Sequence, residues 1–166
     1  MDTALGGTDD RESGTGVMAA ELSGLNLHHI GFVVPDIVAG VSGFVRSLGA
    51  TWDGLIYEDP YQAVKVTFLT IGPGAPQIEL VEPAGEHSPV LRFLREGGGG
   101  IHHICYEVAN LDRHMAAMKS RGCLIARRAK PAVAFQGRRI AWMLTAEKLL
   151  VELLEESGPR DRAGYS

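Results

Sequence analysis

Hydrophobic positions along the chain follow two different spacings, and these spacings predict its elements. Residues 27–34 form a short apolar run that favours a buried strand, and the apolar residues within 37–48 recur at helical spacing before Gly49. Three more strand-like segments follow, at residues 52–57, 64–71 and 77–81. The first half of the chain is therefore predicted to fold as a βαβββ module.

The second half repeats the same order of elements. A strand is predicted at residues 101–108, and Asn110 is placed to cap a helix that ends before Gly122. Strands are predicted after that helix at residues 124–126, 139–144 and 149–154. Each copy of this repeat spans nearly half of the chain, and only two copies are present. The pattern therefore favours a duplicated domain over a solenoid.

Five segments make up the predicted organisation of the chain. Both ends lack periodic apolar patterning and are expected to be mobile tails, and a linker with a short helix over residues 88–94 joins the two modules. The segments are the N-terminal tail 1–25, the first module 26–83, the linker 84–100, the second module 101–156 and the C-terminal tail 157–166.

Composition and charge argue against several classes of protein. The 166 residues carry a formal charge of −4, so the chain lacks the basic surface expected of a nucleic-acid-binding protein. No apolar run approaches the ~20 residues that span a bilayer, and the polar N-terminus lacks the basic flank and apolar stretch of an export signal. We therefore expect a cytoplasmic protein in which Cys105 and Cys123 are reduced thiols.

A repeated histidine motif carries the strongest chemical signal. The sequence LHHI at residues 27–30 recurs as IHHI at residues 101–104. A Glu within an apolar strand follows the second histidine of each copy, after 50 positions in the first half and 49 in the second. The four residues selected by this repeat are His29, Glu79, His103 and Glu152.

The alternation of side chains along a strand predicts which histidines face inward. His29 and His103 are expected on the open face of the sheet, where Gly31 leaves room for a bulky group, whereas His28 and His102 are expected on the opposite face as structural residues. A carboxylate in an apolar strand is costly to bury unless it is paired or binds a metal. Two imidazoles and two carboxylates suit one divalent ion, such as Co²⁺, Ni²⁺, Mn²⁺, Zn²⁺ or Fe²⁺. The sequence therefore predicts an α+β fold in which two tandem βαβββ modules form a curved mixed sheet around a metal-centred cavity.

Over about residues 25–155, this pattern resembles the vicinal oxygen chelate, or glyoxalase-type, superfamily. Three stretches are similar to its methylmalonyl-CoA epimerase family: IELVEP at residues 78–83, EHSP at 86–89 and GGGIHHIC at 98–105. The resemblance implies the glyoxalase fold and places the family's metal ligands on the same four residues. Before the last predicted strand the chain departs from the family, because LTAEK at residues 144–148 makes a shorter connection.

The resemblance also implies an activity. It implies a divalent-metal-dependent isomerase that epimerises methylmalonyl-CoA or a related 2-substituted acyl thioester by abstracting the α-proton through a metal-stabilised enolate. Glu152 is the expected base, and the partner acid is open between Glu107, on the strand face of His103, and Glu58, in a predicted loop. Some family members carry a further acidic residue where this chain has Val66.

Other interpretations remain open from the sequence alone. The same four ligands also suit a glyoxalase I-like isomerase or lyase, and a non-catalytic protein of the bleomycin-resistance type would sequester a ligand in the same cavity. A ring-cleaving dioxygenase fits less well, because its site uses only one Glu. Basic residues are expected either to bind CoA phosphates or to form a solvated hairpin, and a homodimer is the expected assembly. These basic residues are Arg127, Arg128, Lys130, Arg138 and Arg139.

Overall fold

The computed structural model describes residues 24–158, so the predicted tails lie outside the described residues except for their innermost positions. Among the described residues, no helix is long and apolar enough to cross a membrane. In chain order the elements are β1 (Asn26–Val33), α1 (Ile37–Leu48), β2 (Thr51–Trp52), β3 (Tyr57–Asp59), β4 (Val64–Thr70), β5 (Gln77–Pro83), α2 (Leu91–Gly97), β6 (Gly100–Val108), α3 (Leu111–Ser120), β7 (Leu124–Pro131), a 3₁₀ turn (Val133–Phe135), β8 (Arg139–Leu144) and β9 (Leu150–Glu155).

One mixed sheet joins the two halves of the described chain. Its strand order is β2-β4-β5-β1-β6-β9-β8-β7, and β3 also pairs with β4. The antiparallel pair β1 and β6 forms the seam, while β5 runs parallel to β1 and β9 runs parallel to β6. This arrangement confirms the predicted α+β fold with two related modules.

Side-chain caps set where the two longer helices begin. Asp36 Oδ1 accepts a hydrogen bond from the Ala39 amide before α1, and Asn110 Oδ1 accepts one from the Arg113 amide before α3. Each such cap stabilises its helix by about 1 kcal/mol. Helix α1 ends at Gly49, whose φ of 65° is a left-handed conformation that glycine adopts without strain.

Each of these helices packs on its own half of the sheet through an apolar cluster. Burying one such aliphatic side chain stabilises the fold by about 1.5–3 kcal/mol. In the first half the buried cluster contains Ile37, Val41, Ala50, Leu69, Ile78 and Leu80; in the second it contains Val108, Leu111, Met115, Ala141, Met143, Val151 and Leu153. The strand residues that alternate with these clusters point to the other face of the sheet.

The strand predicted at residues 52–57 is split in two. After Trp52 the chain leaves the sheet at Asp53, whose Oδ1 accepts a hydrogen bond from the Leu55 amide, and Gly54 has a φ of 84°. An Asp-Gly pair favours such a turn over a continuous strand. As a result β2 and β3 pair with opposite ends of β4.

Two other boundaries also differ from the prediction. Helix α2 begins at Leu91 rather than at residue 88, because the Leu91 amide bonds to the Ser88 carbonyl in a turn. Strand β7 continues to Pro131, well beyond the predicted residue 126, because its pairing with β8 extends to Arg139.

The seam between β1 and β6 contains one irregularity in each strand. Leu27 pairs with Tyr106 and His29 with Cys105, so His28 is an extra residue on β1. Gly31 pairs with His103 and Phe32 with Ile101, so residue 102 is an extra residue on β6. An extra residue of this kind breaks the simple alternation of side chains and re-aims the side chains near it.

Candidate metal centre and active-site cavity

The four residues selected by the sequence repeat lie together where the halves of the sheet meet. The Nε2 atoms of His29 and His103 are 3.1 Å apart. Glu79 Oε2 lies 3.1 Å from His103 Nε2 and 3.5 Å from His29 Nε2. Glu152 Oε2 lies 3.1 Å from His29 Nε2 and 3.7 Å from His103 Nε2. Each carboxylate is therefore closer to the histidine of the other module, so the cluster requires both halves.

These separations fit the donor atoms of one divalent ion. With metal–ligand bonds of about 2.1 Å, neighbouring ligand atoms are about 3.0 Å apart in an octahedral site and about 3.4 Å apart in a tetrahedral one. The buried Glu152 Oε2 has no hydrogen-bond partner among the described residues, despite its closeness to His29. A buried carboxylate oxygen that accepts no hydrogen bond is costly, and coordination to a cation removes that cost.

Small residues beside the two histidines make this close approach feasible. Gly31 lies opposite His103 in the seam, and a Cβ added to Gly31 would lie 1.9 Å from Cε1 of His103. The predicted role of Gly31 as a space-providing residue is thus confirmed. Cys105 lies opposite His29, and burial raises the pKa of its thiol, which keeps it neutral. Cys105 and Cys123 are both free thiols, as predicted.

Charges within the cluster determine where a proton resides in the protein alone. Burial lowers the pKa of His29, but attraction to the Glu79 carboxylate and contacts with both carboxylates outweigh burial and raise this pKa to about 10. Burial raises the pKa of Glu79, yet the positive charge on His29 and the hydrogen bonds from His103 and His29 together lower it more, so the net pKa lies well below the ordinary value. The cluster therefore holds a proton at the place where its donor atoms converge.

Aromatic rings enclose both histidines of the cluster. Phe68 pairs with Glu79 between β4 and β5, and Trp142 pairs with Glu152 between β8 and β9. The two pairs occupy equivalent positions in the two modules. The Phe68 ring lies 5.6 Å from the His29 ring, and the Trp142 ring lies 4.7 Å from the His103 ring. Phe135 from the 3₁₀ turn stacks on His29 at 5.9 Å. These rings restrict the orientation of the imidazoles.

The predicted placement of His28 and His102 on the opposite face is wrong. His28 Nδ1 lies 2.9 Å from His29 Nδ1, and His102 Nδ1 lies 3.1 Å from His103 Nδ1. The extra residue in each strand turns these side chains toward their neighbours. Burial, followed by the charge of the adjacent histidine, lowers the pKa of His28 and lowers that of His102 to about 4.

A cavity of about 220 Å³ opens beside the cluster. Most of the side chains that line the cavity are apolar, and a few are ionisable. Its lining residues are Asp59, Gln62, Val64, Val66, Glu79, Val81, Pro89, Val90, His102, His103, Ala126, Arg127, Ala132, Ala134, Phe135, Trp142, Leu150 and Glu152.

Asp59 is the cavity residue that the sequence interpretation missed. It is 2% exposed, and its Oδ1 accepts hydrogen bonds from the amides of Tyr61 and Gln62. Its Oδ2 makes only longer contacts, at 3.4 Å with Gln62 Nε2 and at 3.5 Å with the Val133 amide. Residue 59 precedes Pro60 between two predicted strands, and its burial depends on contact with the distant 3₁₀ turn.

The two acids predicted as partners of Glu152 occupy other places. Glu107 is half-buried and forms an ion pair with Arg138, and Glu58 is exposed opposite Lys65 in the ladder of β3 and β4. Neither side chain is among the described residues that line the cavity.

The predicted basic residues divide between the cavity and the surface. Arg139 pairs with Glu155 and Asp112, and Arg138 pairs with Glu107, so these two guanidinium groups have acidic partners. Arg127 lines the cavity. It is therefore the member of the basic set placed to meet a ligand there.

Comparison with known proteins identifies similar chains. Residues 28–142 match the family model described as the Glyoxalase/Bleomycin resistance protein/Dioxygenase superfamily. The ethylmalonyl-CoA/methylmalonyl-CoA epimerase of Cereibacter sphaeroides is 34% identical over 118 residues, which cover 70% of this chain and 86% of that protein. Such relatives are isomerases, the class of enzyme predicted from the sequence.

Solved structures agree with this likeness. Methylmalonyl-CoA epimerase from Mycobacterium tuberculosis superposes with a TM-score of 0.70 at 26% identity, covering 82% of this chain and 91% of that chain. A Streptomyces coelicolor methylmalonyl-CoA epimerase variant in complex with 2-nitronate-propionyl-CoA superposes with a TM-score of 0.68 at 26% identity, covering 80% and 97%.

Proposed function

Because the chain belongs to the glyoxalase/bleomycin resistance protein/dioxygenase superfamily, we propose that it is a metal-dependent epimerase of methylmalonyl-CoA or a related 2-substituted acyl thioester. The observation that carries this proposal is the convergence of two imidazoles and two carboxylates beside a cavity. The name of the Cereibacter sphaeroides relative, which includes both ethylmalonyl-CoA and methylmalonyl-CoA, supports this class of substrate.

The donor set fits a divalent metal ion, which His29, Glu79, His103 and Glu152 would hold. Co²⁺, Ni²⁺, Mn²⁺, Zn²⁺ and Fe²⁺ all accept a mixture of imidazole and carboxylate ligands. When bound, such an ion acts as a Lewis acid on substrate carbonyl oxygens and stabilises the negative charge that develops as the α-proton leaves.

Glu152 is the residue that we propose as the base on one face of the substrate. Its side chain lines the cavity, and Oε2 lies 3.1 Å from His29 Nε2 in the ligand cluster. A carboxylate has two oxygens, so one can face a cation while the other accepts a proton from a bound substrate. Proton abstraction by a positioned carboxylate typically accelerates a reaction about 10²–10⁴-fold.

Asp59 is the residue that we propose as the acid on the other face. Inversion of a carbon requires that the proton leaves on one side and returns on the opposite side. Asp59 lines the cavity from β3, whereas Glu152 lines it from β9. The weak contacts of Asp59 Oδ2 leave that oxygen available to a substrate, while Oδ1 anchors the loop.

The remaining lining residues favour enolate chemistry by excluding water. Valine side chains from β4 and β5, together with Trp142 and Leu150, surround the ionisable groups with apolar surface. In such surroundings, electrostatic stabilisation of a developing charge is stronger than in water. Arg127 supplies a positive charge at the cavity, and we assign it to the CoA part of the thioester.

Hydrogen–deuterium exchange at the α-carbon tests the proposed function. The protein is incubated with methylmalonyl-CoA in D₂O, either loaded with Co²⁺ or treated with EDTA, and deuterium in the thioester is measured by mass spectrometry. We expect exchange only in the loaded sample, and in Glu152→Gln a loss of at least about 100-fold for the epimer whose α-proton faces Glu152. Glu86→Gln, at an exposed position outside the cavity lining, is the matched control and should exchange at the wild-type rate.

Outcomes of parallel assays separate the alternatives. Absence of exchange with all five metals would refute the epimerase, and formation of lactoylglutathione from methylglyoxal and glutathione would identify a glyoxalase I-like enzyme instead. A preparation that binds no divalent metal but retains a small molecule would favour a sequestering protein. Residence in the cytoplasm and the homodimer expected from the sequence stay predictions.

A further inference from the structure

His28 and His102 lie directly outside the proposed metal ligands, once in each half of the molecule. Each is the residue before a proposed ligand and the extra residue of its strand. His28 Nδ1 is 2.9 Å from His29 Nδ1, and His102 Nδ1 is 3.1 Å from His103 Nδ1. Neighbouring residues of a regular strand point to opposite faces, so these ring contacts exist only because both strands are irregular at the same motif position.

The chemistry of a metal-binding imidazole gives each contact a direction. The Nε2 atoms of His29 and His103 face each other and the two carboxylates, so Nε2 is the atom that would bind a cation. A nitrogen that binds a cation carries no proton, so the proton of a neutral ring is then on Nδ1. The Nδ1–H group of each ligand therefore donates, and Nδ1 of the preceding histidine accepts.

We propose that His28 and His102 are positioning residues that fix the tautomer and the ring orientation of the metal ligands His29 and His103. This inference rests on the metal site of the proposed function. In metal sites, the second nitrogen of a ligand histidine commonly donates to a carboxylate, a carbonyl or a water. Here an imidazole from the adjacent residue is the acceptor in both modules.

Packing holds the two acceptor rings at the required angle. The His28 ring contacts the edge or face of Phe135 at 5.5 Å, and the His102 ring contacts Phe93 at 5.0 Å and Trp142 at 6.2 Å. Each acceptor ring is nearly perpendicular to its ligand ring, at 80° in the first half and 90° in the second. A ring fixed on one side by aromatic contacts presents Nδ1 to its neighbour in a constant direction.

Two substitutions of His28 distinguish the effect of its hydrogen bond on metal binding from the effect of its packing. His28→Phe keeps an aromatic ring against Phe135 but removes the acceptor, whereas His28→Asn places an amide oxygen near the position of Nδ1. The Co²⁺ dissociation constant of each purified protein is measured by isothermal titration calorimetry, with the visible absorption spectrum of the Co²⁺ complex as a second readout. Neither measurement requires turnover.

We expect His28→Phe to weaken Co²⁺ binding about 10–100-fold and His28→Asn to stay within about threefold of the wild type. The same pair of changes at position 102 should give the same pattern, and the effects of the two Phe variants should multiply in the double variant. His87→Phe, at an exposed histidine of the linker, is the control for loss of an imidazole and should bind Co²⁺ as the wild type does.

Thermal unfolding of the metal-free proteins shows whether each variant is folded, and His28→Leu replaces His28→Phe if the latter is not. Wild-type affinity in the Phe variants would overturn the inference, as would an Asn variant that is as weak as the Phe variant. Such results leave the epimerase itself intact, provided that the wild type binds Co²⁺ and exchanges the α-proton. A wild type that binds no Co²⁺ would overturn both.

Discussion

Replacing Gly31 by Ala tests whether the two halves bring their ligands to a single point. The added Cβ would lie 1.9 Å from Cε1 of His103, whereas carbon atoms in contact are about 3.5 Å apart at the closest. The His103 ring must therefore move by roughly 1.5 Å. Metal–ligand distances tolerate deviations of only about 0.2 Å, so Nε2 of His103 would leave the coordination sphere.

The expected result is a large loss of metal affinity with a smaller loss of stability. Losing one of four ligands should weaken Co²⁺ binding at least about 100-fold, which is about 3 kcal/mol. Overpacking in the seam should lower the free energy of unfolding of the metal-free protein by about 1–3 kcal/mol. Calorimetric titration with Co²⁺ and thermal unfolding without metal measure these two effects.

Gly43→Ala is the matched control for the same change elsewhere. A Cβ at Gly43, within α1, would have nothing within 4 Å. Because alanine favours a helix over glycine, this variant should gain about 1 kcal/mol in stability and bind Co²⁺ unchanged. If Gly31→Ala also bound Co²⁺ with wild-type affinity and an unaltered absorption spectrum, His103 would not be a ligand of the metal ion.

Three further predictions follow from the charges and contacts of the site. With a pKa of about 10, His29 is protonated at neutral pH in the metal-free protein, so a metal ion must displace that proton. The affinity for the metal should therefore rise about tenfold per pH unit up to about pH 10. Calorimetry in buffers of different ionisation enthalpy should show release of about one proton on metal binding. Affinity that does not change with pH would contradict this assignment. Asp59→Asn keeps the Oδ1 acceptor but removes the acid. It should therefore slow epimerisation at least about 100-fold, while one epimer still exchanges its α-proton in D₂O. Equal loss of the epimerisation rate and the exchange rate would place Asp59 elsewhere in the mechanism. A metal ion at 100 times its dissociation constant should stabilise the fold by about 2.7 kcal/mol, which corresponds to a rise in Tm of roughly 5–11 °C. EDTA should reverse this rise. An unchanged Tm would argue against a metal site in the folded protein.

The elements and the cluster of two histidines and two glutamates were accessible from the sequence because both depend on short-range patterns. The period of apolar residues predicted β1, α1 and β8 within one or two residues of their observed bounds. The internal repeat then selected one His and one Glu per module, and two related modules that pair side by side bring equivalent positions together. The split of β2 from β3 also had a local signal, the Asp-Gly turn at Asp53.

Strand pairing and long-range packing decided the rest of the site. The extra residues at His28 and His102 belong to the register between β1 and β6, which the sequence of either strand alone does not specify. Asp59 is buried because β3 contacts the 3₁₀ turn of the other module. The ion pair with Arg138 holds the Glu107 side chain away from the cavity. Thus the sequence determined which residues form the cluster of two histidines and two glutamates, because repetition and strand period are local properties. The tertiary structure determined which residues surround that cluster, because those contacts join segments far apart in the chain.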